Sequence, residues 1–199
     1  MATLRESDVI AGVVLVELVA HGDARGRFVE TYRREWFADQ PCGEMVQASR
    51  SDKAAGSLVG LHYHRFQSDY WQIVAGVARV VLHDLRAGSP TEHHTLELDL
   101  AGDDDPPRGL LIPPGVAHGF AALSDLTLYY LVDHYYNPDD ELGVAYDDPE
   151  IGANWKVTDP VVSPRDLANP PRAGLPAALV PEFSSRSQAV RPQGVPDRL

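Results

Sequence analysis

Gly60-Leu61-His62-Tyr63-His64-Arg65-Phe66-Gln67-Ser68-Asp69-Tyr70-Trp71-Gln72-Ile73-Val74-Ala75-Gly76 is the stretch that decides how the chain is read. Two histidines stand one residue apart, a carboxylate follows five positions after the second, and a glycine closes the run. On an extended strand side chains alternate faces, so His62 and His64 project together while Leu61, Tyr63 and Arg65 project to the other side. Gly76 permits a tight turn at the end. Two imidazoles are therefore expected in one cavity, where they hold a proton, a metal ion or only each other.

The flanking chain is cut into short apolar or aromatic segments, residues 62–66, 69–74, 77–85, 95–100, 110–112 and 126–134, separated by Gly, Pro, Asp or Ser. Many short strands with few helical patterns predict an antiparallel sandwich or barrel. Upstream, the valine-rich run 9–19 reads as a strand, 21–26 as a turn and 27–32 as a second strand. A short helix is expected over residues 33–39, extended structure over 45–48 and a polar loop over 52–56. The acidic stretch Gly102-Asp103-Asp104-Asp105-Pro106-Pro107 reads as a solvated connection, because adjacent carboxylates repel and proline cannot donate to a ladder. Half of the 16 prolines lie between Pro160 and Leu199. That segment has room for a short helix near residues 164–168, so one domain is expected over residues 1–175, followed by a Pro-rich wrapping tail over 176–199.

A chain of 199 residues with 44% hydrophobic content can bury a full core. The excess of 29 Asp+Glu over 17 Lys+Arg, a net charge of -12, disfavours nucleic acid and anionic membranes as partners. The single cysteine, Cys42, cannot form an intrachain disulfide and fits a reducing compartment. Residues 1–8 hold no apolar core of a signal peptide, and no window approaches the roughly 18 apolar residues of a membrane span. A soluble, cytoplasmic protein is expected.

Three further residues have chemistry to offer. His118 follows the sharp Pro113-Pro114-Gly115 turn, which holds it either for a purpose or as a hydrogen-bonded core histidine. Tyr130 shares a strand face with Leu126, Leu128 and Val132, where it either fills volume or presents a hydroxyl as a general acid. Asp166, in Ser163-Pro164-Arg165-Asp166, has the look of a helix-start carboxylate.

Taken together, Asp23-Ala24-Arg25-Gly26-Arg27-Phe28-Val29-Glu30, Gln47, Gly60-Leu61-His62-Tyr63, Ile112-Pro113-Pro114-Gly115-Val116-Ala117-His118-Gly119-Phe120, Tyr135-Tyr136-Asn137-Pro138, Asp147-Asp148-Pro149 and Trp155 occur in order and at suitable spacing. Over roughly residues 5–175 the chain resembles the dTDP-4-dehydrorhamnose 3,5-epimerase family. The resemblance implies an all-β, cupin-type double-stranded β-helix (jelly roll) that forms a homodimer and works without a cofactor. It also implies His62 as the base that removes a proton alpha to a sugar 4-ketone, Asp166 as the group orienting it, Tyr130 as the returning acid, and His118 in the pocket wall. Arg25, Phe28, Glu30, Gln47 and Tyr136 match positions that hold the nucleotide sugar, some of them across the dimer. A dTDP-4-keto-6-deoxysugar, or a relative from secondary metabolism, is the expected substrate.

The chain departs from the family at several of its positions. Val59 stands where an arginine is usual, Asp69 where a lysine is usual, and Ser49 where an asparagine is usual. A carboxylate in place of the cation that stabilises the enolate reverses the sign of that interaction, which argues against standard double epimerisation. His64 stands where a glutamine is common. With it, His62, His64, Asp69 and His118 match the ligand pattern of metal-binding cupins, suited to Fe(II), Mn(II), Ni(II) or Zn(II). Two alternatives to an epimerase-like isomerase follow: a metal-dependent isomerase, cyclase or oxygenase, and a carbohydrate-binding member without turnover.

Overall fold

The structure is a computed structural model that describes residues 1–40 and 42–184. Among these, the strands are β1 (Thr3–Glu6), β2 (Val14–Glu17), β3 (Ala20–Asp23), β4 (Gly26–Val29), β5 (Gln47–Lys53), β6 (Ser57–Tyr63), β7 (Asp69–Ala75), β8 (Val77–Asp84), β9 (Thr95–Ala101), β10 (Arg108–Ile112), β11 (Val116–Ala122), β12 (Leu126–Val132), β13 (Leu142–Gly143) and β14 (Val161–Val162). One sheet has the order β1-β2-β10-β7-β12-β5 and the other β13-β6-β11-β8-β9, with β14 added parallel to β6. From β5 to β13 successive strands cross between the sheets, apart from the β8–β9 hairpin. This is the jelly roll that the resemblance implies. The β3–β4 hairpin pairs only with itself.

Three apolar layers hold the sheets. Trp71, Ile73, Val80, Leu82, Leu110 and Phe120 belong to the core between them. Leu58, Leu61, Tyr63, Val81, Ala117 and Trp155 fill a second layer, in which β6, β8 and β11 meet the chain from Leu142 to Leu175. Val14, Val16, Tyr70 and Leu111 meet Leu4, Tyr32 and Phe37 in a third. Strands covered on both faces need no polar side, which is why β11 and the Val80–Leu82 centre of β8 read as apolar runs rather than alternating ones.

Local chemistry shifts several of the expected boundaries. The run 9–19 is not one strand: Ser7 Oγ accepts the N–H groups of Val9 and Ile10, Glu6 accepts that of Gly12, and only Val14–Glu17 is extended. The charged segment Thr3–Glu6, unassigned in the sequence, pairs with it. The expected turn 21–26 is largely β3 and β4, the strand expected over 27–32 ends at Val29, and the 33–39 helix is a single 3-10 turn, Arg34–Phe37. The 52–56 loop loses Asp52 and Lys53 to β5, which pairs with β12 through Lys53. Gly76 turns β7 into β8 at φ 76°, where a Cβ would lie 2.0 Å from the Asp125 carbonyl oxygen. The expected 164–168 helix is α1 (Pro164–Leu167), with Ser163 capping the Asp166 N–H and proline in its first turn. Beyond residue 175 the chain docks on the β8 end, where Ala87 N–H donates to Pro181 and Phe183 N–H to Ala87; the rest of the expected tail, 185–199, lies outside the described residues. No helix among the described residues is long and apolar enough to cross a membrane.

A buried ion pair pins the end of β8. Asp84, 0% exposed, accepts from Arg86 Nε at 2.7 Å, Ser89 Oγ at 2.6 Å and Thr91 Oγ1 at 2.7 Å. Burial alone pushes the Asp84 carboxyl up, but these donors outweigh it and hold it below the usual value. Because the folded pKa is depressed, the stabilisation is present above the unfolded carboxylate range and is lost as pH falls through the folded value. Asp84→Asn is expected to cost about 3–5 kcal/mol at pH 7 in urea unfolding, with the difference from the native protein shrinking below about pH 4.

Candidate active site

Paired strands set the site. His62 on β6 lies opposite His118 on β11, so both project to the same face, and His118 in turn lies opposite Leu82, a residue of the inter-sheet core. Tyr130 on β12 is paired with Trp71 on β7 and packs against the same core. The expected strand over 62–66 ends at Tyr63, so His64 sits where the chain leaves β6. It turns back toward His118, the two rings 5.4 Å apart, and Trp71 meets His118 edge-on at 5.2 Å.

Two buried carboxylates fix that exit loop. Asp140 accepts the N–H groups of Arg65 at 2.9 Å and Phe66 at 3.2 Å, and its carbonyl accepts from His64 Nδ1 at 2.8 Å. Asp133 accepts the N–H groups of Ser68 and Gly43, each at 2.7 Å. His64 and Asp69 are thereby held at the two ends of a clamped turn.

His62 has a dedicated partner. Its Nε2 lies 2.6 Å from Asp166 Oδ1, while Asp166 Oδ2 accepts the Gly60 N–H at 3.3 Å. Burial raises the Asp166 carboxyl, but the hydrogen bond and charge of His62 and the Gly60 and Ser163 bonds bring it below the usual value. An ionised carboxylate only accepts, so Nε2 carries the proton and Nδ1 is left with a lone pair. Glu141 Oε1 lies 3.9 Å from that Nδ1 and is itself paired with Arg165 at 3.2 Å. Burial raises the Tyr130 phenol, a hydrogen bond with Ser49 lowers it, and the charges of Asp69 and Glu141 raise it, for a net upward shift that keeps it protonated.

The four residues grouped as metal ligands in the sequence do not all converge. His64, Asp69 and His118 bring ligand atoms within 4.8 Å of one another. His62 stands apart from that set, because Asp166 takes its Nε2. The five residues expected to hold a nucleotide sugar are spread out. Arg25 is exposed and pairs with Asp23 in its own hairpin, Phe28 is 68% exposed, and Glu30 pairs with Arg33. Gln47 accepts from the Tyr136 N–H at 3.4 Å, which brings those two together. Sequence reasoning missed Glu141, Gln67, Trp71 and Asp140; the one available signal was that Gln67, Asp69 and Trp71 share a period of two.

Compared with known proteins, residues 7–173 match the family model for dTDP-4-dehydrorhamnose 3,5-epimerase. Spore coat polysaccharide biosynthesis protein SpsL of Bacillus subtilis (strain 168) is 41% identical over 150 residues, 73% of this chain and 96% of that protein. The crystal structure of dTDP-6-deoxy-D-glucose-3,5-epimerase RmlC from Legionella pneumophila Philadelphia 1, in complex with dTDP-4-keto-L-rhamnose, matches with a TM-score of 0.86 at 29% identity, covering 93% of this chain and 100% of that one. NovW, a 4-keto-6-deoxy sugar epimerase from the novobiocin biosynthetic gene cluster of Streptomyces spheroides, matches with a TM-score of 0.84 at 32% identity, covering 92% of this chain and 94% of its own.

Asp166→Ala is expected to cost about 1–3 kcal/mol in denaturant unfolding, because the buried Gly60 N–H loses its acceptor. Asp166→Asn keeps an acceptor and should retain most of that stability.

Proposed function

The chain belongs to the dTDP-4-dehydrorhamnose 3,5-epimerase family, and from that premise we propose that it epimerises a dTDP-4-keto-6-deoxysugar by removing and returning a proton alpha to the ketone. The observation that carries this reading is the short His62–Asp166 contact at 2.6 Å. It fixes the ring and its tautomer, so that Nδ1 is the atom available to take the proton. The imidazolium then formed is stabilised by Asp166 on one side and Glu141 on the other. Tyr130, kept protonated by burial and the nearby carboxylates, is the acid that returns a proton. His118 lines the pocket between them.

Substrate binding in this reading draws on a second copy of the chain. The β3–β4 hairpin pairs with neither sheet, and it carries Arg25 and Phe28 exposed. In a homodimer these two reach the partner's nucleotide site, while Glu30, Gln47 and Tyr136 complete it. An aromatic side chain over a base and a guanidinium near a diphosphate are the contacts such a ligand calls for. No cofactor takes part in this proton transfer.

In deuterated water, incubation with a dTDP-4-keto-6-deoxysugar is expected to introduce deuterium at C3 or C5, read by mass spectrometry or NMR. His62→Ala should slow that exchange by at least about 100-fold, whereas Tyr130→Phe should slow formation of the inverted sugar more than the initial exchange. Absence of exchange from native protein that binds the sugar nucleotide in calorimetry would make the chain a binding protein instead. If the hairpin acts across the dimer, mixing inactive His62→Ala chains with inactive Arg25→Ala/Phe28→Ala chains should restore activity that neither shows alone.

A further inference from the structure

Asp69 differs from the other buried aspartates around the site. Asp133, Asp140 and Asp166 each accept backbone N–H groups and so serve as local staples. Asp69, 4% exposed, is held only by side chains, with Oδ1 accepting from Gln67 Nε2 at 2.8 Å and Oδ2 from Trp71 Nε1 at 3.0 Å. The same two oxygens face imidazoles: His64 Nε2 lies 4.0 Å from Oδ1 and His118 Nε2 lies 4.0 Å from Oδ2.

The tautomers of both rings follow from their far sides. His64 Nδ1 meets the Asp140 carbonyl at 2.8 Å and His118 Nδ1 meets the Val116 carbonyl at 3.0 Å. A carbonyl accepts only, so both Nδ1 atoms carry hydrogen and, in the neutral ring, both Nε2 atoms carry lone pairs. Both Nε2 atoms are thus turned toward the Asp69 carboxyl oxygens, each too far for a hydrogen bond, so the three ligand atoms face one shared point.

We propose that His64, Asp69 and His118 form a binding site for a divalent first-row transition-metal ion. Each ligand is oriented from behind by a hydrogen bond, as metal-bound imidazoles and carboxylates characteristically are. A separation of 4.0 Å is too long for a hydrogen bond. Donors about 2.1 Å from an ion at tetrahedral angles stand about 3.4 Å apart, so ligand atoms that lie within 4.8 Å of one another close the set by inward side-chain movements of about an ångström. Two imidazoles and one carboxylate favour Fe(II), Zn(II) or their neighbours over Mg(II) or Ca(II) and leave positions open for an oxygen ligand. A cavity lined by His64, Phe66, Gln67, His134, Tyr135 and Asp140 borders the site and offers a route in. Binding of the ion stands independently of epimerisation.

The test is to strip the full-length protein with a chelator and titrate it with Co(II), following visible d–d absorption and calorimetry without any sugar present. One ion per chain is expected, with micromolar or tighter affinity. Asp69→Asn and His64→Gln should each weaken binding at least about 100-fold, and near-UV circular dichroism checks that they fold. Cu(II) bound to the native protein should show hyperfine coupling to two imidazole nitrogens, a result that needs no variant. Native protein that gives no d–d absorption at excess Co(II), unchanged affinity in both variants, or Cu(II) coupled to fewer than two imidazoles overturns the site. Deuterium exchange into the sugar by the stripped enzyme reports on epimerisation separately, so the failure of one reading does not imply failure of the other.

Discussion

Strands β6 and β11 approach so closely beside the site that two of their residues have no room for a side chain. A Cβ on Gly60 would lie 2.7 Å from the His118 carbonyl oxygen, and one on Gly119 would lie 2.6 Å from that of Val59. Gly60 also has φ 104°, in the region that glycine alone enters freely. From this contact follow the pairing of His62 with His118, the register shift just beyond it, and the exposure of the Gly60 N–H to Asp166. A side chain at either glycine would push the sheet apart at the point where its chemistry is assembled.

The fold was largely legible because turn-forming residues cut the chain at nearly every strand end from β6 to β12. It was least legible near the N-terminus. There the charged Thr3–Glu6 carries no strand signal, and Gly12 at φ 77° breaks a run whose composition alone reads as continuous. In the site, His62, His64 and His118 announce themselves by spacing and by the turn before His118. Asp166 does not, since 104 residues separate it from His62, and only the resemblance pointed to it. Period two put His62 and His64 on one face, but the strand ends at Tyr63 and Asp166 takes the His62 ring, so it is His64 that gathers with Asp69 and His118. Trp71 and Asp140 were missed because an apolar aromatic and a loop carboxylate each have an ordinary structural use.

The strongly acidic composition acquires a structural meaning in the folded chain. Buried aspartates at positions 84, 133, 140, 148 and 166 each accept at least one backbone N–H, and so fix loops that lack regular ladders. Such carboxylates are satisfied by geometry and need no mobile partner. Asp69 is built differently, and its surroundings are organised around a charge rather than around a turn.

The dependence of His62 on Asp166 also sets when the site can come into being. Both sheets are complete, save for the short β14, by residue 143, whereas the carboxylate arrives on α1 beyond a further loop. During synthesis, which proceeds from the N-terminus at about 5–20 residues per second, a nascent chain can therefore close its jelly roll while His62 is still without Asp166. The His62–Asp166 pair is completed only when the last third of the chain has wrapped the first.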